Sequence, residues 1–305
     1  MIVVVVGSRG SDLACAQVQE VLTALKTLRP DVRFRHQIIV EAGDSDTSSS
    51  LSAVSQANGG AAFANAQEEA LLRGRVDLVV HSLKDLPTTA TRGLTLLPPP
   101  TRAEVRDALC GSTLAALPAG ARVGTSAQRR IAQLLRARPD VQPVPIRGNV
   151  PPRLAKMESQ NLDAVLLAAA GLQRLDLQDR IGELLSLDTF LPAPGQGALG
   201  IQIRSEDTTT RDVLDGYGDA KTFAEVRAER GMLHELHGGC AVPIGAYAIH
   251  RDGSLLLRGQ VTSLDGRIQV AGQVVGTPEE PEKLGHQLAR QLLDAGAEDI
   301  LAAIR

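Results

Sequence analysis

His81-Ser82-Leu83-Lys84-Asp85-Leu86-Pro87 directly follows the apolar run Val76–Val80. Such a run reads as a short buried strand, and in open α/β sheets ligands sit beyond the carboxyl ends of strands. Lys84 and Asp85 are therefore expected where a ligand binds. A carboxylate held there can match a developing positive charge or move a proton. The bland alternative is a strand-to-loop transition with solvated charges, and the segment alone does not choose between them.

Arginines recur at comparable places. Gly124-Thr125-Ser126-Ala127-Gln128-Arg129-Arg130 joins a strand candidate to a helix. Thr125 or Ser126 is expected to cap that helix, whose first N–H groups favour anions. Arginine presents a planar fork that pairs with a carboxylate through two hydrogen bonds. Taken alone, this piece reads as a basic surface turn. Arg147-Gly148-Asn149-Val150-Pro151-Pro152-Arg153 repeats the design, Arg174 follows the strand candidate Asp163–Ala168, and Arg9 and Ser11 follow the first strand. Scattered surface arginines would not favour strand exits. The pattern predicts a cleft for a ligand carrying several carboxylates.

His237-Gly238-Gly239-Cys240-Ala241-Val242-Pro243 is the third unusual stretch. Two glycines remove bulk and permit a sharp turn at a helix end, so a thiol can be presented outward. A nearby histidine and cleft arginines favour the thiolate. The competing reading is a buried, inert cysteine. That is the reading for Cys15, in an apolar helix, and for Cys110, beside Ala108-Leu109. No CxxC pair occurs, which argues against zinc and against a disulfide framework, and no metal is expected.

These residues need elements to hold them, and the rest of the chain supplies them. A length of 305 residues suits two or three domains. Hydrophobic residues make up 43% but aromatics only 2%, so the cores must be aliphatic. A net charge of −3 gives no global basic field, which argues against nucleic-acid binding. No apolar run approaches the roughly 20 residues that span a bilayer. Ile2–Val6 lacks a basic leader and a cleavage site, so it reads as a buried strand and the protein as cytoplasmic.

Strand-like and helix-like segments alternate through the first two thirds. Ile2–Val6, Phe34–Val40 and Val76–Val80 read as strands; Leu13–Leu28 and Phe63–Arg73 read as helices, the latter closed by Gly74. This rhythm predicts a mainly parallel sheet covered by helices. Pro98-Pro99-Pro100 marks a crossing between domains. A second series follows, with strands at Arg122–Gly124, Val141–Ile146 and Asp163–Ala168 and helices at Ala127–Arg136 and Arg153–Gln160. Leu191–Gly197 is a second crossing, and Leu199–Ile203 a strand that returns to the first domain. Then come the helix Thr222–Leu236, three runs joined at Asp252-Gly253 and Asp265-Gly266, and helices at Pro281–Leu293 and Ala297–Ile304. Asp-Gly between apolar runs signals hairpins, so this part is a small antiparallel α+β domain.

In order, these segments resemble the porphobilinogen deaminase family over nearly the whole chain. The matching stretches are Gly7-Ser8-Arg9-Gly10-Ser11, Val80–Pro87, Val123-Gly124-Thr125-Ser126 with Arg129-Arg130, and Arg147-Gly148-Asn149-Val150. Leu191-Pro192-Ala193-Pro194-Gly195-Gln196-Gly197-Ala198 and Gly238-Gly239-Cys240-Ala241-Val242-Pro243-Ile244-Gly245 complete the set. Each is weak by itself; six in family order and at family-like spacing are specific.

The resemblance implies an α/β fold with two periplasmic-binding-protein-like (type II) domains flanking a cleft, plus a small C-terminal α+β domain. The expected boundaries are 1–98 with 196–214, 99–195, and 215–305. The implied cofactor is dipyrromethane, attached to Cys240 by a thioether. The implied substrate is porphobilinogen, and the product is hydroxymethylbilane with release of ammonia. A cytoplasmic, monomeric transferase of tetrapyrrole biosynthesis is the resulting expectation. Arg9, Arg129, Arg130, Arg147, Arg153 and Arg174 match the family's carboxylate-binding arginines. Asp85 matches its catalytic carboxylate, holding pyrrole N–H groups and stabilising the azafulvene cation left when ammonia departs, and Lys84 binds substrate side chains or tunes Asp85. Ser11, Ser82, Thr125, Ser126 and Gly148 are hydrogen-bonding candidates, Gln196 reaches the cofactor from the second crossing, and Phe63 joins the substrate contacts. This chain departs from the family pattern in the lysine-free stretch Gln56–Phe63, at Ala42 before Gly43-Asp44, and at Ala127. The lysine-free stretch bears on loop closure and turnover rate more than on reaction type.

Two other readings compete. A non-enzymatic binding protein for a small polycarboxylate explains the arginines and both crossings, but not an outward Gly-Gly-Cys or an aspartate at a strand exit. A Cys–His hydrolase using Cys240 with His237 or His234 needs a hydrogen-bonding geometry that the spacing across Gly-Gly does not establish.

Overall fold

Four consecutive valines stiffen the start of the chain into an extended strand, because branching at Cβ restricts χ1 and packs well on a pleated surface. In the computed structural model, which describes residues 2–40, 65–237 and 242–304, they open β1 (Val3–Ser8). There follow α1 (Asp12–Leu28), β2 (Arg33–Ile38), α2 (Asn65–Leu72), β3 (Leu78–Ser82), a 3-10 turn at Leu83–Asp85, and β4 (Leu94–Leu97). Past the proline triplet come β5 (Asp107–Cys110), β6 (Arg122–Gly124), α3 (Gln128–Ala137), β7 (Gln142–Val144), α4 (Val150–Ser159), β8 (Ala164–Ala168), α5 (Ala169–Arg174) and β9 (Ile181–Leu184). The chain then runs through β10 (Leu199–Arg204), α6 (Thr208–Val213), α7 (Ala220–Glu235), β11 (Ile244–Arg251), β12 (Ser254–Thr262), β13 (Gln269–Gly276), α8 (Pro281–Leu292) and α9 (Glu298–Ala302). Two compact units result: Met1–Ala103 with Ala198–Phe223, and Glu104–Gly197 with Ala224–Arg305.

The first unit holds a five-stranded sheet in the order β2-β1-β3-β10-β4, and the second unit one in the order β7-β6-β8-β5-β9. In the first, only β10 runs antiparallel to its neighbours; in the second, only β5 does. Each sheet therefore takes its reversed strand, in the same fourth place, from the strand that follows a crossing. This shared order is the type II periplasmic-binding-protein-like arrangement, and the mainly parallel expectation holds with those two reversals. The second unit also carries the antiparallel sheet β11-β12-β13. Asp252 (φ 50°) and Gly253 (φ 78°) turn its first hairpin, both with the positive φ that a type I′ turn requires.

Central strands are buried on both faces. Leu78 and Val80 of β3 pack with Val18, Val21, Leu22 and Leu25 of α1, while Val79 packs with Ala70 and Leu71 of α2. In the C-terminal sheet, Leu255, Leu257 and Val261 meet Leu284, Leu288 and Leu292 of α8.

The structure changes several sequence-based expectations. Neither Thr125 nor Ser126 caps α3: the N-cap is Ala127, which makes no side-chain cap bond. The hydroxyls are used elsewhere, Ser126 Oγ donating to Ile146 O (2.7 Å) and Thr125 Oγ1 accepting from Ala127 N (3.3 Å). α4 starts at Val150, not Arg153, because Pro151 and Pro152 suit a first helical turn. Cys15 is half-buried where burial was expected; Cys110 is buried, and burial pushes its thiol up to about 11. β4 and β9 are additional edge strands.

Candidate active site

In the first unit, the candidates gather at strand exits. Arg9 follows β1 and is half-buried. Ser11 caps α1, its Oγ accepting from Ala14 N at 3.3 Å. Ser82 ends β3 and accepts from Gln17 Nε2 at 2.8 Å. Leu83 N donates to Ala198 O (3.1 Å) and Leu86 N to Leu83 O (3.2 Å), which fixes the turn presenting Lys84 and Asp85. Both are half-buried. Among the described residues, none donates a hydrogen bond to the Asp85 carboxylate.

The second unit places Arg129 and Arg130 around a residue the sequence reading did not single out. Asp107 opens β5 and is fully buried. Its Oδ2 accepts from Arg129 Nη1 at 2.6 Å. Its Oδ1 accepts from Arg130 Nη2 (2.8 Å) and Nε (3.0 Å), and from Gln196 Nε2 (3.0 Å). Arg129 also donates to Leu191 O (2.8 Å), Arg130 to Leu166 O (3.1 Å), and Gln196 to Val105 O (2.7 Å). Burial alone would raise the Asp107 carboxyl, but attraction to Arg129 and Arg130 and their hydrogen bonds outweigh it, holding it well below the usual range. Burial lowers Arg129, with Asp107 opposing. Two guanidiniums against one carboxylate leave the cluster one positive charge in excess.

Around Gly148 (φ 112°), the loop after β7 is pinned by two cations. Arg153 Nε donates to Gly148 O and Lys156 Nζ to Arg147 O, each at 2.7 Å. Arg147 and Arg153 are half-buried. Arg174, at the end of α5, donates to Gly197 O at 3.2 Å, which ties it to the second crossing. Thr125 is buried and Ser126 half-buried at the start of α3.

The structure thus joins Arg129, Arg130 and Gln196 through one carboxylate, and sets Ser82, Lys84 and Asp85 on one strand exit. Phe63 and Cys240 lie outside the described residues. The sequence signal for Asp107 was an acid at the head of the apolar run Ala108-Leu109, which resembles an ordinary strand start. A second unheralded contact lies beside the catalytic candidates: His81 is buried and its Nε2 is 3.0 Å from Gln202 Oε1. Burial pushes its imidazole down to about 4. Among the described residues, no group of three or more His, Cys, Asp or Glu is arranged to hold a metal ion, and no helix is long and apolar enough to cross a membrane.

Similarity to known proteins covers the same ground. The family model described as porphobilinogen deaminase, dipyromethane cofactor binding domain, matches residues 4–212. The one described as porphobilinogen deaminase, C-terminal domain, matches residues 223–294. The porphobilinogen deaminase of Carboxydothermus hydrogenoformans is 42% identical over 305 residues, covering 99% of this chain and 97% of the relative. That of Moorella thermoacetica is 44% identical over 308 residues, covering 100% and 97%. Among solved structures, the second substrate binding domain of a putative amino acid ABC transporter from Streptococcus pneumoniae is similar at 11% identity, with a TM-score of 0.43, over 70% of this chain and 90% of that one.

Proposed function

This chain belongs to the porphobilinogen deaminase family, and from that premise we propose that it is a hydroxymethylbilane synthase, a transferase that condenses four porphobilinogen molecules head to tail and releases ammonia. The observation that carries the reading is similarity at 42% to 44% identity over essentially the full length, with the family's strand-exit residues present at Arg9, Lys84, Asp85, Arg129, Arg130 and Arg147. We read the chain as three domains, 1–98 with 196–214, 99–195 and 215–305, each supported by one of the three sheets. A cytoplasmic setting belongs to the same reading.

The residues present fit a dipyrromethane. Its acetate and propionate groups are anionic, and the Asp107 cluster carries one positive charge in excess. Its pyrrole N–H groups need an acceptor, and the Asp85 carboxylate accepts no hydrogen bond among the described residues. Cys240 would hold the group by its sulfur, with Ser11, Ser82, Gly148 and Gln196 as further contacts. When bound, the group supplies the pyrrole carbon on which the product grows.

Asp85 orients the incoming pyrrole through its N–H and stabilises the positive charge that develops on the substrate as ammonia leaves. In a half-buried position that attraction exceeds its value in water. Lys84 pairs with a substrate carboxylate or tunes Asp85. Arg9, Arg147, Arg153 and Arg174, with Ser11 and Phe63, bind substrate carboxylates and ring; each guanidinium offers a two-point contact that fixes orientation as well as charge.

Intact mass tests the reading. The purified protein should carry two pyrrole units beyond its sequence mass, lost in Cys240→Ser, and porphobilinogen should add further units stepwise with release of ammonia. A protein reconstituted with porphobilinogen that stays at its sequence mass and releases no ammonia would sink the assignment.

A further inference from the structure

We propose that Glu68, acting through Gln202, is a positioning residue that fixes His81 as its Nε2–H tautomer at the root of the turn carrying Lys84 and Asp85. The inference rests on the reading of Asp85 as the catalytic carboxylate.

Donor accounting sets the direction of the whole chain of bonds. The Glu68 carboxylate only accepts. Gln202 Nε2 lies 2.7 Å from Glu68 Oε1, so it donates there, and the amide oxygen of Gln202 must face the other way. That oxygen lies 3.0 Å from His81 Nε2, and an amide oxygen also only accepts. His81 Nε2 therefore carries the hydrogen, and Nδ1 the lone pair. Thr91 Oγ1 donates to Glu68 Oε2 at 2.8 Å and holds the far end. One carboxylate on α2 thus dictates a tautomer on β3.

The placement of His81 connects this to the turn. Its partner across the antiparallel pair β3–β10 is Gly200. A Cβ at Gly200 would come 3.0 Å from Leu86 Cδ1 and 3.4 Å from Leu83 Cδ1, so the bare glycine is where the two leucines flanking Lys84-Asp85 seat. Alternation along β3 puts His81 on the face that packs on α2 and Ser82 on the face that packs on α1, where Gln17 holds it. The strand exit is therefore pinned on both faces, by Gln17 on one and by Gln202 on the other. Both pins are side-chain hydrogen bonds from neighbouring elements, the kind of support that preorganises a site. His81 is buried, and burial keeps the imidazole uncharged near neutral pH, so the pin adds no charge beside Asp85.

Glu68→Gln tests this without changing the size of any side chain. An amide at position 68 can donate as well as accept, so Gln202 is free to turn over and donate to His81, which demands the opposite tautomer. Long-range 1H–15N spectra should show His81 as a single Nε2–H tautomer in the unaltered protein and as a mixture in Glu68→Gln. The rate per cofactor-loaded molecule, counted by intact mass, should fall about tenfold in kcat with KM little changed; this is the lower part of the loss that ångström-scale misplacement causes. An unchanged tautomer in Glu68→Gln overturns the inference, and so does a changed tautomer with unaltered kcat. Gln202→Met removes both central bonds at similar volume, and in folded protein the same kcat loss is expected; full activity there overturns the inference too. Failure of the underlying reading looks different: Asp85→Ala would turn over normally, while the tautomer measurement would stand.

Discussion

Arg129 Nη1 lies 2.6 Å from Asp107 Oδ2, with both side chains buried. Arg130 shares the same carboxylate at 2.8 Å. Removing the acid leaves two guanidiniums facing each other without their counter-ion. Breaking a buried pair in this way costs about 3–5 kcal/mol, because the stranded charge keeps its desolvation penalty. Asp107→Ala should therefore lower the unfolding free energy in urea by that amount. A loss below about 1 kcal/mol, the range of an exposed ion pair, would show that the cluster is not held by this charge.

Asp85 presents the opposite case. It is half-buried and receives no hydrogen bond from the described residues. Among the described residues nothing loses a partner when it goes, so Asp85→Ala should shift stability by no more than about 0.5 kcal/mol. Chain extension should nevertheless stop, read as an absence of ammonia release and of stepwise mass increments. Near-normal turnover would take Asp85 out of the mechanism.

The contrast between these two aspartates shows what the sequence made legible. Asp85 sits in a local pattern: an apolar run, then a polar turn, and that order alone puts it at a strand exit. Asp107 has no local signature, because its partners lie 22 and 23 residues further on and Gln196 lies 89 further. The arginines were legible as anion binders, but not the buried acid that holds them. His81 stood in the motif, yet Gln202, which sets its hydrogen, is 121 residues away. The same limit applies to the fold. α1 and β8 carry their own apolar pattern and were read from it. β4 and β9 are four-residue edge strands, each paired to one neighbour, and chain-local hydrophobicity does not mark them. The lysine-free stretch and the cysteine loop, 56–63 and 238–241, lie in or overlap parts outside the described residues.

The last prediction concerns pH. Burial lowers the His81 imidazole to about 4 in the folded protein, from 6.5. Above about pH 6.5 both folded and unfolded chains hold the ring neutral, and it contributes no pH dependence. As pH falls from 6.5 towards 4, the unfolded chain takes up a proton that the folded chain refuses. Stability is therefore fully present above 6.5 and is lost progressively down to about 4. At about 1.4 kcal/mol per pKa unit, the loss from this one group is on the order of 3 kcal/mol. His36 is also lowered by burial and adds a slope of the same sign, so the comparison that isolates His81 is with His81→Gln, which keeps a donor for Gln202. Urea unfolding at pH 7 and pH 4.5 should show the unaltered protein losing roughly 2–3 kcal/mol more than the variant. Equal losses in the two proteins would mean that the imidazole titrates freely, and that burial does not hold it neutral.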